Sequence, residues 1–247
     1  MEAPWGRGWK RRLALAGAVI AGGGALLILI VEHKPRWYRP VVLDAEQLER
    51  VRGEAATTVD AISRQLVAGS PFELRLPERA VNEWLCAFLH HRPDVAGRLP
   101  VQVSDIAMDF DEGCLRLAAL YDSDGWRAIV SLDAAVDVTK NGDELQLTPR
   151  RGRIGSMPVA MGIVERWLIQ PAMAARRKRH EDSGRALSDL SEFRLAEGER
   201  PVWRIRNRFV WPNGERPFRI RSVVPYAGEV ALVIEPLGDS HARRNSP

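Results

Sequence analysis

The sequence is poor in the residue types that most often build disulfide and metal sites. It has two cysteines, Cys86 and Cys114, and five histidines among 247 residues. Two cysteines exclude a disulfide-rich scaffold and leave either one bridge or two buried free thiols, of which we favour the thiols. No histidine has the ligand spacing that a zinc site requires. We therefore predict no metal site and no cofactor.

Catalytic motifs are also lacking. The chain contains no G-x-S-x-G, no phosphate-binding glycine loop and no dinucleotide fingerprint. Residues 122–125, Asp-Ser-Asp-Gly, resemble the opening of a calcium loop but lack its later ligands and its closing glutamate, so a hairpin turn explains them better. We name no catalytic residue and predict that the protein is not an enzyme.

The chain has one long apolar run, residues 13–31, in which none of the nineteen residues is charged. As a helix this run is about 28 Å long, close to the thickness of a bilayer core. Arginine, lysine and tryptophan flank it on both sides, as at membrane interfaces. A cleaved signal peptide has a shorter apolar region that ends in a small-x-small site. We therefore predict an uncleaved signal-anchor, which makes this a single-pass membrane protein.

Four basic residues precede the run and three follow it, which favours a cytoplasmic N-terminus. The predicted location is the bacterial inner membrane, with the soluble domain on the extracytoplasmic side. The predicted organisation is a cytoplasmic N-terminus (1–12), a transmembrane helix (13–31), a linker and long helix (32–69), a soluble domain (70–237) and a disordered tail (238–247).

Helical periodicity marks three segments after the apolar run. The first is 44–68, where Asp44 and Gln47 resemble a capping box. The second is 77–91, and the third begins at Ser156. The second and third segments have apolar stripes, which we expect to line a groove through Trp84, Leu85, Phe88, Trp167 and Leu168.

Twofold alternation dominates 101–154 and returns over 203–236. Turn sequences at 111–113, 122–125 and 141–143 predict an antiparallel meander, and a change of parity between Val103 and Ile106 predicts a bulge. The predicted fold class is α+β: one transmembrane helix followed by a curved antiparallel β-sheet packed with amphipathic helices.

Charge is divided unevenly along the chain. Residues 41–149 hold 10 Lys/Arg against 19 Asp/Glu, whereas residues 150–221 hold 17 against 8. If residues 213–214 form a two-residue hairpin turn, paired positions sum to 427, and five arginines share one face: Arg204, Arg206, Arg208, Arg219 and Arg221. Opposed like charges destabilise a hairpin. Either the acidic half of the chain neutralises these arginines, or they contact an anion such as a phosphate.

Short motifs in this order resemble an uncharacterised group of bacterial single-pass proteins, the YpmS-like group. The matching positions are Asn82, Trp84, Leu85, Ile154, Gly155 and Pro158. The group's fold is similar to the tubular lipid-binding (TULIP-like) domains, so the resemblance implies an apolar groove between helix and sheet. The arginine-rich hairpin and the charged segment 172–200 depart from the group's pattern.

Two functional interpretations follow. The first is a membrane-anchored extracytoplasmic domain that binds a lipid or another amphipathic ligand in an apolar groove. The second is a structural or interaction subunit of a cell-envelope assembly that takes no small ligand. The expected partners are membrane lipids, with an envelope protein or a second copy as alternatives. A second copy would pack on small residues of the apolar run. Nucleic acid is not expected.

Overall fold

Strands dominate the computed structural model, which describes residues 29–97, 99, 101–123, 125–160, 162, 202–210 and 216–238. The three helices described over their whole length are α1 (Ala45–Ala68), α2 (Glu78–His91) and α3 (Pro93–Ala96), and residues 29–32 are also helical. The strands are β1 (Phe72–Pro77), β2 (Val103–Asp111), β3 (Cys114–Ser123), β4 (Trp126–Val138), β5 (Glu144–Ile154), β6 (Met157–Val159), β7 (Trp203–Arg206), β8 (Phe209–Val210), β9 (Pro217–Tyr226) and β10 (Glu229–Pro236).

The strands form two antiparallel sheets. Sheet A has the order β1-β10-β9-β8, and sheet B has the order β2-β3-β4-β5-β6, with β7 also paired to β5. The predicted meander over 101–154 is confirmed as β2 to β5. The predicted bulge is confirmed as well, because the register of β2 against β3 shifts between Ser104 and Ala107, and Asp105 has φ +50°.

Helix α1 joins two separate apolar clusters. It begins at the predicted capping box, in which Gln47 N donates to Asp44 Oδ1 at 2.8 Å. It ends at Gly69, whose φ of +75° favours glycine. Leu48 and Val51 near its start pack against α2, and Ile62 and Leu66 near its end pack against sheet A. The second half of α1 is therefore held beside β1.

Helix α2 is attached to sheet B by Asn82, which is 6% exposed. Its Nδ2 donates to Met108 O at 2.7 Å, and its Oδ1 accepts from Met108 N at 2.7 Å. The side-chain amide thus satisfies both backbone groups of one β2 residue, much as a neighbouring strand would. This places α2 along the outer edge of sheet B.

Asn207 joins the two sheets. Phe209 pairs with Phe218, as the predicted sum of 427 requires. At Asn207 the chain leaves this hairpin, and β7 pairs with β5 instead of β9. The Asn207 side chain, 3% exposed, bonds Ile220 N and O at 2.8 and 2.6 Å, and Ile220 is the residue opposite Asn207 in the predicted register. The predicted pairing is therefore correct near the turn and wrong before it, where Arg206 does not face Arg221.

The predicted transmembrane helix is not supported. In the part of the chain that the structure describes, no helix is long and apolar enough to cross a membrane. Residues 13–28 of the predicted span lie outside that part, together with the small residues proposed for dimerisation. At its end, Ile30 O accepts from Ser156 N at 2.9 Å, and Val31 is 6% exposed. The end of the run therefore packs on sheet B.

The fold class requires the same correction. The described chain is mostly antiparallel β-sheet, with 47% strand and 29% helix, and shows no transmembrane helix. The assignments as a single-pass, signal-anchored protein of the inner membrane are likewise unsupported. A smaller correction concerns residues 157–159, predicted as the start of a helix. They form β6, which pairs with β5.

Candidate functional site

The α2 side chains expected in a groove point to different surroundings. Trp84 packs in the apolar cluster between α1 and α2. Leu85 is half-buried, and Phe88 is 48% exposed. The buried residues of α2 are instead Asn82, Glu83 and Ala87. The remaining members of the predicted groove, Trp167 and Leu168, lie outside the described residues.

Four of the five arginines are divided between the two sheets, and Arg208 lies between β7 and β8. Arg204 lies in β7, where its Nη1 is 3.7 Å from Glu144 Oε2. Arg219 lies in β9, and its Nε donates to Glu235 Oε2 at 2.8 Å, which lowers the pKa of Glu235. Arg206, on β7, and Arg208, just after it, also interact with other groups, and Arg221 is exposed on β9. Carboxylates of the chain itself thus neutralise at least two of the five.

A cleft of about 300 Å³ lies between the second half of α1 and strand β1. Helix and strand form its two sides, because the turn at Gly69 folds the chain back on itself, and the cleft is open to solvent. Four of the lining residues belong to α1 and three to β1. They are Ala61, Ile62, Arg64, Gln65, Phe72, Glu73 and Leu74.

The floor of this α1–β1 cleft is apolar. Ile62 is 7% exposed and belongs to the core cluster between α1 and sheet A. Phe72 and Leu74 are half-buried and pack against that cluster. Strand alternation explains why both face the helix, since they are two positions apart in β1. β1 is an edge strand of sheet A, and its only partner among the described strands is β10.

The rim of the cleft carries polar groups. Arg64 and Gln65 are exposed on α1. Glu73 lies on the opposite side of β1 from Phe72 and Leu74, and its Oε1 accepts from Arg75 Nε at 2.6 Å. Arg64 has no ion pair or hydrogen bond with any side chain that the structure describes. The cleft therefore combines an apolar floor with one cationic group whose charge is not offset by a carboxylate in contact with it.

A row of alternating charges crosses sheet B on a different surface. Arg116 Nη1 donates to Asp109 Oδ2 at 2.9 Å, and the same guanidinium bonds Asp111. Asp133, the β4 partner of Arg116, is 3.3 Å from Arg153 Nη2. Each acid lies beside a base, so the row links β2 to β5. We assign it a structural role.

Glu78 adds a second carboxyl group at one end of this row. Its Oε2 accepts from Phe110 N at 3.5 Å. Burial raises the pKa of Glu78, and the neighbouring Asp109 raises it further. A carboxyl group whose pKa is raised by a neighbouring carboxyl group occurs in many active sites. Here Glu78 and Asp109 lie at the junction of α2 with β2, so we expect the raised pKa of Glu78 to affect the free energy of unfolding.

The structure describes both cysteines, and the surroundings of Cys114 do not favour its thiolate form. Both are free and half-buried, which agrees with free thiols although neither is fully buried. Burial raises the pKa of the Cys114 thiol, with a smaller contribution from Asp133. A raised thiol pKa lowers the fraction of thiolate, the nucleophilic form.

Comparison with models of protein families, with curated proteins and with solved structures finds no match to this chain. The resemblance to the YpmS-like group is therefore untested, and the local geometry is the basis for a functional proposal.

Sequence reasoning missed the α1–β1 cleft. The sequence pattern that could have indicated the cleft is Arg64 beside the apolar stripe of α1, followed within ten residues by the alternating Phe72 and Leu74. What the sequence did not provide was the pairing of β1 with β10, because those strands are far apart in the chain. That pairing fixes which face of β1 meets the helix.

Proposed function

We propose that this protein binds a small amphipathic molecule of the lipid class in the cleft between α1 and β1. The observation that carries the proposal is the combination of an apolar floor, formed by Ile62, Phe72 and Leu74, with a polar rim. Ligand clefts are mostly apolar and carry a few polar groups that fix orientation. This is the ligand class expected from the sequence, at a different place from the predicted groove.

The cleft volume limits the size of the ligand. Its volume of about 300 Å³ is near the lower end of ligand sites. It equals the volume of roughly ten water molecules at about 30 Å³ each. One chain of about ten heavy atoms would fill this open cleft. The matching probe is a single ten-carbon chain.

The test is equilibrium dialysis of the full chain against radiolabelled decanol, an uncharged amphiphile. Ala61 is exposed at the cleft, so Ala61→Trp fills the opening without removing core atoms. Ala56 is exposed on the same helix and does not line the cleft, which makes Ala56→Trp the matched control. We expect saturable binding that Ala61→Trp weakens at least tenfold and Ala56→Trp leaves unchanged. Equal binding by the two variants would rule out the cleft as the site.

A second candidate function is supported by the edge position of β1, whose only partner among the described strands is β10. An edge strand presents unpaired backbone groups, to which an extended peptide can add as a further strand. This would suit an interaction protein without a small ligand. Crosslinking that captures peptide on β1, with no decanol bound at the cleft, would favour this second function over the first.

A further inference from the structure

We infer that the ligand of the α1–β1 cleft is a single-chain anion, such as a medium-chain carboxylate, and that Arg64 binds its head group. This inference rests on the proposed function and specifies its ligand class. The juxtaposition that carries it is Arg64 at the rim above the apolar floor of Ile62, Phe72 and Leu74.

The charges that line the cleft favour an anionic head group. Two charged residues line the cleft, Arg64 and Glu73. Glu73 is engaged by Arg75, which also bonds Glu229 at 2.9 Å on the neighbouring strand. Arg64 has no such contact within the described part of the chain. An anionic head group at the rim gains a charge partner, whereas a cationic one meets an uncompensated guanidinium.

The side chain of arginine suits the binding of a carboxylate beside an apolar surface. A guanidinium presents several N–H donors in one plane, which match the two oxygens of a carboxylate. Its aliphatic stem covers apolar surface while its head stays in water. Arg64 is exposed and lies one helical turn from the cleft residue Ala61. A chain seated on the floor would therefore direct its head group toward this side of the rim.

The charged groups near the end of α1 also favour an anion. Arg216 Nη1 donates to Val67 O at 3.0 Å, so a second guanidinium lies at the end of the same helix. No aspartate or glutamate follows Asp60 in α1. Two guanidinium groups, those of Arg64 and Arg216, therefore lie near this end of α1, which disfavours a cationic amphiphile at this rim.

The experiment compares decanoate with decanol on the full chain by equilibrium dialysis, with both probes below their aggregation concentrations. Wild type should bind decanoate more tightly than decanol by about three- to fivefold, which is the upper range for an ion pair that water still reaches. Arg64→Gln should remove most of this preference and leave decanol binding unchanged. The control is Arg52→Gln, because Arg52 is a more remote, exposed arginine of α1.

The outcomes separate the two proposals. Equal affinity of the wild type for decanoate and decanol, or a preference that survives Arg64→Gln, overturns the assignment of an anionic ligand to Arg64 and leaves the cleft as the site. Failure of both probes to bind overturns the proposed function itself. Arg64→Lys should keep part of the preference for decanoate, since lysine retains the charge without the planar pair of donors.

Discussion

Replacement of Asn207 by alanine tests how the two sheets are joined. Asn207 is 3% exposed, and its side chain makes three hydrogen bonds. Nδ2 donates to Gly142 O at 2.9 Å and to Ile220 O at 2.6 Å, and Oδ1 accepts from Ile220 N at 2.8 Å. The alanine variant removes all three bonds and leaves main-chain groups without a partner.

The expected loss follows from the cost of buried unpaired groups. Leaving one buried donor or acceptor unsatisfied costs about 1–3 kcal/mol. The Ile220 N–H loses its only acceptor in this contact, and the two carbonyls lose one donor each. Allowing for partial relaxation, we expect Asn207→Ala to lower the free energy of unfolding by about 3 kcal/mol.

The assay is urea unfolding followed by circular dichroism. Asn141→Ala is the control, because Asn141 is exposed and its side chain also makes several turn contacts. Water replaces the lost bonds there, so the cost should stay within about 1 kcal/mol. If Asn207→Ala costs no more than Asn141→Ala, the side chain of Asn207 does not join the sheets as described.

Three further perturbations have expected outcomes. Gly155→Ala should lower stability by more than about 2 kcal/mol in thermal unfolding, because Gly155 has φ +58° and an added Cβ would clash with the main chain of residues 30–31; an unchanged Tm would contradict that docking. The raised pKa of Glu78 gives a stabilising contribution that is complete below the unfolded-state pKa of about 4.3 and is lost as pH rises through the folded-state value. Wild type should therefore lose stability relative to Glu78→Gln as pH rises above about 4.3, and a stability difference that does not change with pH would show that the pKa of Glu78 is not raised. Phe88→Ala should cost less than about 2 kcal/mol in urea unfolding, since the ring is 48% exposed, and a loss of about 3–5 kcal/mol would show that Phe88 is core.

The sequence predicted those features of the helices and strands that depend only on residues close together in the chain. The capping box at Asp44, the bulge near Asp105 and the turns of the meander are all local features. Each depends on residues within a few positions, so the sequence contains the whole cause. The hairpin register was predicted correctly at Phe209 for the same reason.

The predictions failed where a distant contact decides the outcome. The chain leaves the hairpin at Asn207 because β5 offers β7 a partner, and β5 lies more than fifty residues earlier. The stripe of α2 predicted to be buried stays partly exposed, because the double hydrogen bond of Asn82 orients the helix on the edge of β2. Hydrophobic periodicity contains no information about such a bond.

The site was predictable only as a class of ligand. Apolar stripes indicated an amphipathic molecule, but they selected Trp84, which packs inside the contact between the helices. The cleft depends on β1 being the edge of sheet A, which follows from its pairing with β10. Arg64 gains its significance only after that pairing is known.

The most direct test of the account is a methyl NMR titration of the full chain with decanoate. Ile62 and Leu74 line the cleft, whereas Ile129 lies in a different core cluster and Leu85 belongs to the groove predicted from the sequence. If decanoate binds in the cleft, the Ile62 and Leu74 methyl signals should shift saturably, with the affinity found by dialysis, and the signals from Ile129 and Leu85 should not change. Saturable shifts of Leu85 with Ile62 unmoved would contradict it.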